Sequence, residues 1–299
     1  MKSTLTVLFL SLFLCSVIAQ TNLQVNIGIS LAQQSPFPFL SSASKDLLKG
    51  LTFFEEWINN EYQWQVTLEN GTVARLLFSI KVLENYGEGN LTTSTYTELY
   101  NDPTVDVVFG PVATSFSLLA RSVSESFGRL ILGTLVGAQE FYLGSAKAYS
   151  AYPSNSRYML PSMSALRVAG ARNVTMLIDS DPFNAGQCAG FKDNLADYGL
   201  EVRNEWHVPS VFTAEPSNET KVQLESALVG MMETDANVMV MCTDTPSLNY
   251  LLNLMKYKYQ YTPKALIIGN INNNFPTIVD PELLVFTAGH VVLFPGNSN

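Results

Sequence analysis

The chain has 299 residues, of which 47% are hydrophobic and 14% charged, with a formal net charge of −9. That much apolar content with so little charge excludes an intrinsically disordered chain and allows a sizeable core in one or two domains. The acidic balance, with no basic stripe, excludes nucleic acid and an anionic membrane surface as natural partners, leaving small molecules or proteins.

Residues 1–19 read as a signal peptide: Lys2 supplies the positive end, Leu5 to Leu14 the apolar centre, and Val17-Ile18-Ala19 the cleavage pattern before Gln20. A lipoprotein signal with Cys15 acylated is disfavoured, because Phe13 and Leu14 fill positions that such a signal gives to small residues. No later apolar run approaches the ~18 residues needed to cross a bilayer. The expectation is a secreted chain, or one on the extracellular side of the cell surface, with membrane attachment only through a segment downstream of Asn299. Asn-x-Ser/Thr acceptors at Asn70, Asn90, Asn173 and Asn218 fit that route as glycosylation sites. Beyond Cys15, Cys188 and Cys242 remain; they either form a disulfide or stay buried thiols, since Cys188 shares a helical stripe with Phe191, Leu195 and Tyr198.

After the signal, Leu23 to Leu31 reads as a strand, Gln33 to Leu40 as a loop, and the next stretch as a helix with Leu47, Leu48, Leu51, Phe54 and Ile58 on its apolar face. Strands follow at Leu76 to Val82, Val105 to Phe109 and Arg129 to Gly133, with a short helix over Thr93 to Tyr100. The run Val105 to Ser115 is the most telling. Its short apolar strand stops at Gly110-Pro111 before small hydroxyl residues that open a helix, with Phe116, Leu119, Ala120, Val123 and Phe127 on one face. The first N–H groups of a helix lack internal partners and carry the positive end of its dipole, so Thr114 and Ser115 are candidates to cradle a carboxylate.

Ala146 to Arg157, with Pro153-Ser154-Asn155, reads as a crossover to a second α/β unit. There helices over Met159–Ala169, Gly186–Tyr198 and Thr220–Met232, and one bearing Leu248, Leu251, Leu252 and Met255, alternate with strands. Those strands are Val174–Asp179, Glu201–Val208, Asn237–Met241 and Ala265–Ile268. Alternating strands and helices imply an α/β fold of two doubly wound parallel-sheet lobes. The expected division is lobe 1 over 20–150, lobe 2 over 151–287 and a return crossover over 288–299. The loops at Gln34–Phe37, Gly110–Ser115, Ser180–Phe183 and Cys242–Pro246 all lie at strand carboxyl ends, where open α/β sheets bind ligands, so lobes set face to face would line a cleft with them.

No HExxH, GxSxG or GxxxxGK[ST] motif occurs, no cofactor is implied, and Asp179-Ser180-Asp181 fails as a calcium loop at Phe183 and Asn184. The reading is a non-enzyme. Phe183 either stacks on a ligand's apolar part or packs under its own lobe. Asp244 either neutralises a ligand ammonium or caps the following helix.

The stretches Trp57-Ile58-Asn59, LYNDPTVDVVFGPVATSFSLLA (Leu99 to Ala120), Ala151-Tyr152-Pro153-Ser154, NVTMLIDSDPFNAG (Asn173 to Gly186) and DANVMVMCTDT (Asp235 to Thr245) carry a resemblance. From Val25 to about Phe294 the chain resembles the type I periplasmic-binding-protein-like family, which includes bacterial branched-chain amino-acid binding proteins and receptor ligand-binding regions. The resemblance implies that Thr114 and Ser115 bind a ligand carboxylate, that Val136 and Gly137 give backbone contacts, that Phe183 stacks on the ligand, and that Asp244 lies near its amine. Two departures stand out: Ala138 replaces the threonine of the amino-acid binders, and Gly269-Asn270-Ile271-Asn272 lacks their acidic residue. The family continues past Asn299 with helices that rebuild the first lobe, so the expectation is a C-terminally incomplete fold, in first place a piece of a receptor, with a shortened secreted binder or a degenerate copy that binds nothing as the alternatives. The expected function is an extracellular module binding a small anionic or amino-acid-like molecule between hinged lobes, and a homodimer is compatible with it. The alternatives are a non-binding interaction or dimerisation module and a secreted hydrolase.

Overall fold

The computed structural model describes residues 21–269 apart from Ala214 and Asn237. The signal segment, Asn270 to Asn272 and the return crossover expected over 288–299 lie outside the described residues.

In the first sheet β1 (Thr21–Leu31) and β3 (Val73–Glu84) run parallel through eleven paired residues, from Thr21 opposite Ala74 to Leu31 opposite Glu84. The other edge of β1 carries β4 (Val107–Phe109), then β5 (Ile131–Gly133) and β6 (Ala148–Ser150), all parallel. A short strand, β2 (Gln65–Thr67), borders β3 antiparallel, giving the order β2-β3-β1-β4-β5-β6. The sequence signal misses β2 and β6: they are as short as β4 and β5, but QVT and AYS lack the unbroken apolar run that VVF and ILG carry. The helices are α1 (Pro38–Trp57), α2 (Gly89–Asn101) and α3 (Thr114–Phe127).

The second sheet has the order β10-β9-β7-β8, from β7 (Asn173–Asp179), β8 (Glu201–Val208), β9 (Val238–Cys242) and β10 (Ala265–Ile268), all parallel. Its helices are α4 (Leu160–Val168), α5 (Pro182–Asn194), α6 (Asn218–Met232) and α7 (Thr245–Asn253). Every residue of β9 is buried, and the pleat sends alternate side chains to opposite faces. Met239 and Met241 join one core with Leu228, Leu251 and Leu266, while Val238, Val240 and Cys242 join the other with Met163, Phe191 and Ile267. A continuous apolar run is therefore what a strand covered on both faces requires.

The expected inward face of α3 is corrected. Leu119 and Phe127 are 38% and 37% exposed, and the buried residues are Thr114, Ser117, Ala120, Val123 and Ser124. These side chains are mostly small because α2 packs directly against this helix, and Ser117 Oγ satisfies itself on the carbonyls of Ala113 (2.9 Å) and Pro111 (3.1 Å). Phe127 instead stacks on Tyr100, ring centroids 5.6 Å apart. Between the two readings of the cysteines the structure chooses the bridge: Cys188 of α5 and Cys242 at the end of β9 form a disulfide with Cα atoms 5.9 Å apart, wholly buried.

Candidate functional site

In each sheet one central strand has successive neighbours on opposite sides, β1 between β3 and β4, and β7 between β8 and β9. These are the topological switch points, and the loops beyond the carboxyl ends of those strands form the mouths where α/β sheets take ligands.

At the first mouth, α3 starts without a side-chain cap, and its N-cap residue Ala113 has φ 75° and ψ 141°. A residue with a Cβ pays about 1–3 kcal/mol for such a conformation, a strain characteristic of ligand-holding turns. Thr114, 2% exposed, has an unpartnered buried Oγ1, and the buried Ser115 Oγ also has no partner. Each unpaired buried polar group costs about 1–3 kcal/mol. Unfilled helix amides, strained backbone and two desolvated hydroxyls thus coincide on the two residues singled out from sequence.

The second mouth has opposite character. Asp181 caps α5 by accepting from the Phe183 (3.0 Å) and Asn184 (3.3 Å) amides. Asp244 caps α7 through Ser247 N (2.8 Å), and its other oxygen accepts from Val211 N (2.7 Å). Between them Asp179, 2% exposed, accepts from Asp181 N (2.9 Å), Asn184 Nδ2 (2.8 Å) and Asp244 N (2.9 Å). Burial, then the neighbouring Asp244 carboxylate, push the Asp179 pKa up to about 7. Burial likewise raises Asp181 and Asp244. Asn184 Oδ1, Thr243 Oγ1, Ser247 Oγ and both polar atoms of Gln187 lie buried here without partners. Among the described residues no group of His, Cys, Asp and Glu is arranged to hold a metal ion. Asp244 is the cap of α7, and its carboxylate also belongs to the acidic cluster at this mouth.

The other sequence candidates meet where the lobes join. Val136 and Gly137 are buried, and their carbonyls are engaged by Ser150 Oγ (2.8 Å) and Asn155 N (2.8 Å), so those carbonyls face the crossover. Phe183 touches Gly137, where an added Cβ would stand 3.1 Å from its Cε2, and lies edge-on to Tyr158 at 5.9 Å. Both alternatives for Phe183 therefore remain physical: it packs at the junction and is only partly buried. Helix α3, with Thr114 and Ser115, touches α5, with Phe183. Asp244 reaches Phe183 through a chain of hydrogen bonds, its own N–H donating to Asp179, the Asp181 N–H also donating to Asp179, and the Phe183 N–H donating to Asp181.

Sequence reasoning missed two features. Phe37, beyond β1, meets Phe212, beyond β8, with ring centroids 6.3 Å apart, so the two mouths face each other across the gap. Phe37 sits in a loop already singled out, but nothing local marks Phe212. The buried Asp179 cluster was also missed, because an Asp closing a strand looks like an ordinary turn residue.

No family model matches the chain, and no curated protein matches it. Solved structures do. A leucine-binding protein from Thermotoga maritima MSB8 superposes with a TM-score of 0.64 at 13% identity, covering 85% of this chain and 66% of that one. An ABC transporter substrate-binding protein from Desulfitobacterium hafniense in complex with Leu gives 0.59 at 17%, covering 83% and 67%. A solute-binding protein of an ABC transporter from Rhodopseudomonas palustris BisB5, in complex with 3,4-dihydroxybenzoic acid, gives 0.60 at 12%, covering 82% and 61%. The chain thus spans 61–67% of the length of these structures. At such low identity the likeness speaks for architecture, and with the two switch-point sheets it establishes that this chain has the type I periplasmic-binding-protein-like fold.

Proposed function

We propose that the chain is an extracellular ligand-binding module that holds a small carboxylate-bearing molecule between its two lobes, without catalysis. The observation that carries this reading is the start of α3: an uncapped helix N-terminus behind a strained Ala113, with Thr114 Oγ1 and Ser115 Oγ buried and unpartnered. A carboxylate seated there would satisfy helix amides and both hydroxyls at once. The facing rim offers Phe183 and Phe212 to an apolar body and the Asp179–Asp181–Asp244 cluster to a positive group. The two ligand-bearing neighbours hold leucine and 3,4-dihydroxybenzoic acid, which share a carboxylate on an apolar body.

A ligand touching both lobes shifts the population toward the closed form by its differential affinity for it. Secretion behind a signal peptide over 1–19 and glycosylation belong to the same reading, with Asn70, Asn90 and Asn218 exposed and Asn173 half-buried. Among the described residues no helix is long and apolar enough to cross a membrane.

The test is a thermal-shift screen with leucine, 3,4-dihydroxybenzoate and the carboxamide of each. Carboxylates are expected to raise the melting temperature, their amides to do so far less, and Thr114→Ala with Ser115→Ala to abolish the shift. A shift that survives both substitutions sinks the proposal. Silence with every carboxylate favours an interaction module with an unused cleft.

A further inference from the structure

We propose that Asn155 is a positioning residue that sets the angle between the lobes, by bonding one ligand-facing loop of each to the crossover. Asn155 is 1% exposed, in the turn Asn155–Arg157 that leads from the first sheet to the second. Its main-chain N–H donates to the Gly137 carbonyl (2.8 Å) in the loop after β5. Its side-chain Nδ2 donates to the Phe183 carbonyl (2.6 Å) in the first turn of α5. One residue therefore spans from lobe 1 to lobe 2 by two hydrogen bonds of opposite origin, one backbone and one side chain.

The surroundings are built to admit this side chain. A Cβ on Gly186 would lie 2.5 Å from Asn155 Nδ2 and 2.9 Å from its Oδ1, so any larger residue there displaces the amide. A Cβ on Gly190 would lie 2.1 Å from the Ser156 carbonyl oxygen, so glycine lets the turn rest directly on α5. A Cβ on Gly137 would lie 3.2 Å from Asn155 Cβ and 3.1 Å from the Phe183 ring. Gln139 Nε2 donates to Ser156 Oγ (2.6 Å), which also pairs with Ser154 Oγ (2.7 Å), tying the following residue to lobe 1. Three glycines from two lobes thus converge on one turn, a density of close backbone approach that a passive linker does not need.

The physical consequence is directional. Rotating the lobes apart about this turn lengthens the bond from Nδ2 to Phe183 O or the bond from Asn155 N to Gly137 O, and both groups are shielded from the water that would replace them. Asn155 thereby limits opening, and the Gly137–Phe183 contact keeps its spacing as the rest of the mouth moves. The inference rests on the proposed binding site only for its consequence in ligand capture; the lobe geometry itself needs no ligand.

The experiment places spin labels at Glu88→Cys in lobe 1 and Glu219→Cys in lobe 2, both exposed, in the chain carrying Cys15→Ser and with Cys188 and Cys242 bridged, so that only two thiols take a label. Asn155→Asp keeps the shape but puts a carboxylate oxygen where the donor was, against the Phe183 carbonyl. The unsubstituted protein is expected to give one narrow interlobe distance distribution, and Asn155→Asp one broadened or shifted outward by several ångströms. Gly186→Ala should produce the same broadening through the other side of the contact, and the two substitutions together no more than either alone. A distribution that stays narrow while the melting temperature falls would show a merely structural role and overturn the inference. If Asn155→Asp does not fold, Asn155→Ser carries the test: its shorter side chain cannot span to Phe183 O, and an unchanged distribution refutes the assignment. Broadening combined with a silent carboxylate screen would uphold this inference while removing the ligand reading.

Discussion

The carboxylate cluster at the mouth of the second lobe makes stability depend on pH with a definite sign. Folded Asp179 holds its proton up to about pH 7, because it is 2% exposed and faces Asp244, whereas its ordinary value is 3.8. Between those values the folded state binds more proton than the unfolded one, so this group's contribution is full below pH 4 and is lost as pH rises through 7. A shift of that size corresponds to roughly 4 kcal/mol at ~1.4 kcal/mol per pKa unit, an upper bound because Asp244 shares the titration. Other carboxylates act oppositely: a hydrogen bond from Arg121 lowers Glu125, and one from Lys258 lowers Glu225. The comparison must therefore be between the protein and Asp179→Asn, by urea unfolding from pH 4.5 to 8. The variant keeps a side-chain acceptor but no titrating group. Its stability relative to the unsubstituted protein should rise steadily by about 2–4 kcal/mol across that range, most steeply between pH 5 and 7. A difference that does not change with pH would refute the argument, since it would mean that Asp179 is ionised at low pH in both states.

The remaining expectations concern other parts of the fold. The disulfide spans 54 residues of sequence, so Cys188→Ala with Cys242→Ala should cost about 4 kcal/mol by loop-closure entropy, read as the drop in unfolding free energy; no loss beyond ~1 kcal/mol would show that the bridge constrains little. In a eukaryotic secretory host, mass spectrometry should find glycans on the exposed Asn70, Asn90 and Asn218, whereas Asn173, half-buried and paired into the sheet at the start of β7, should stay bare. Occupancy at Asn173 would contradict the packing of that strand. Asp244→Asn keeps an oxygen for the Ser247 amide but removes a negative charge from the mouth, so it should tighten 3,4-dihydroxybenzoate and weaken leucine in isothermal titration. Equal effects on both ligands would remove Asp244 from ligand recognition.

Much of the architecture was legible because buried parallel strands leave a simple trace. Runs such as Val174 to Asp179 and Val238 to Cys242 are apolar on both faces, and each is followed by a cap-forming acid, Asp181 or Asp244, at a helix start. Helix faces were less legible where packing selects small residues. Ser117 and Ser124 look polar in sequence, yet they are buried in α3 because their hydroxyls bond to nearby carbonyls, and the large Leu119 and Phe127 are displaced outward. At the mouths, the Thr114-Ser115 signal is local and survives in the sequence. The Phe37–Phe212 pair and the two-way bonding of Asn155 are not local, since each depends on how separate lobes meet.

The two mouths divide the work by what already fills their helix ends. In the second lobe α5 and α7 each receive an internal carboxylate, so their positive ends are spent on Asp181 and Asp244, and neither end is open to a further anion. In the first lobe α3 has no such cap, and the hydroxyls beside its open end are buried without partners. The carboxylate proposed as ligand would therefore meet one favourable end and one unfavourable one, which would orient it in the cleft. In the same proposal, closure would bring the aromatic rim over the ligand's apolar part. On the proposed reading, preference for an anionic group would follow from the two buried, unpartnered hydroxyls at the uncapped start of α3 set against the two acid-capped helices of the second lobe.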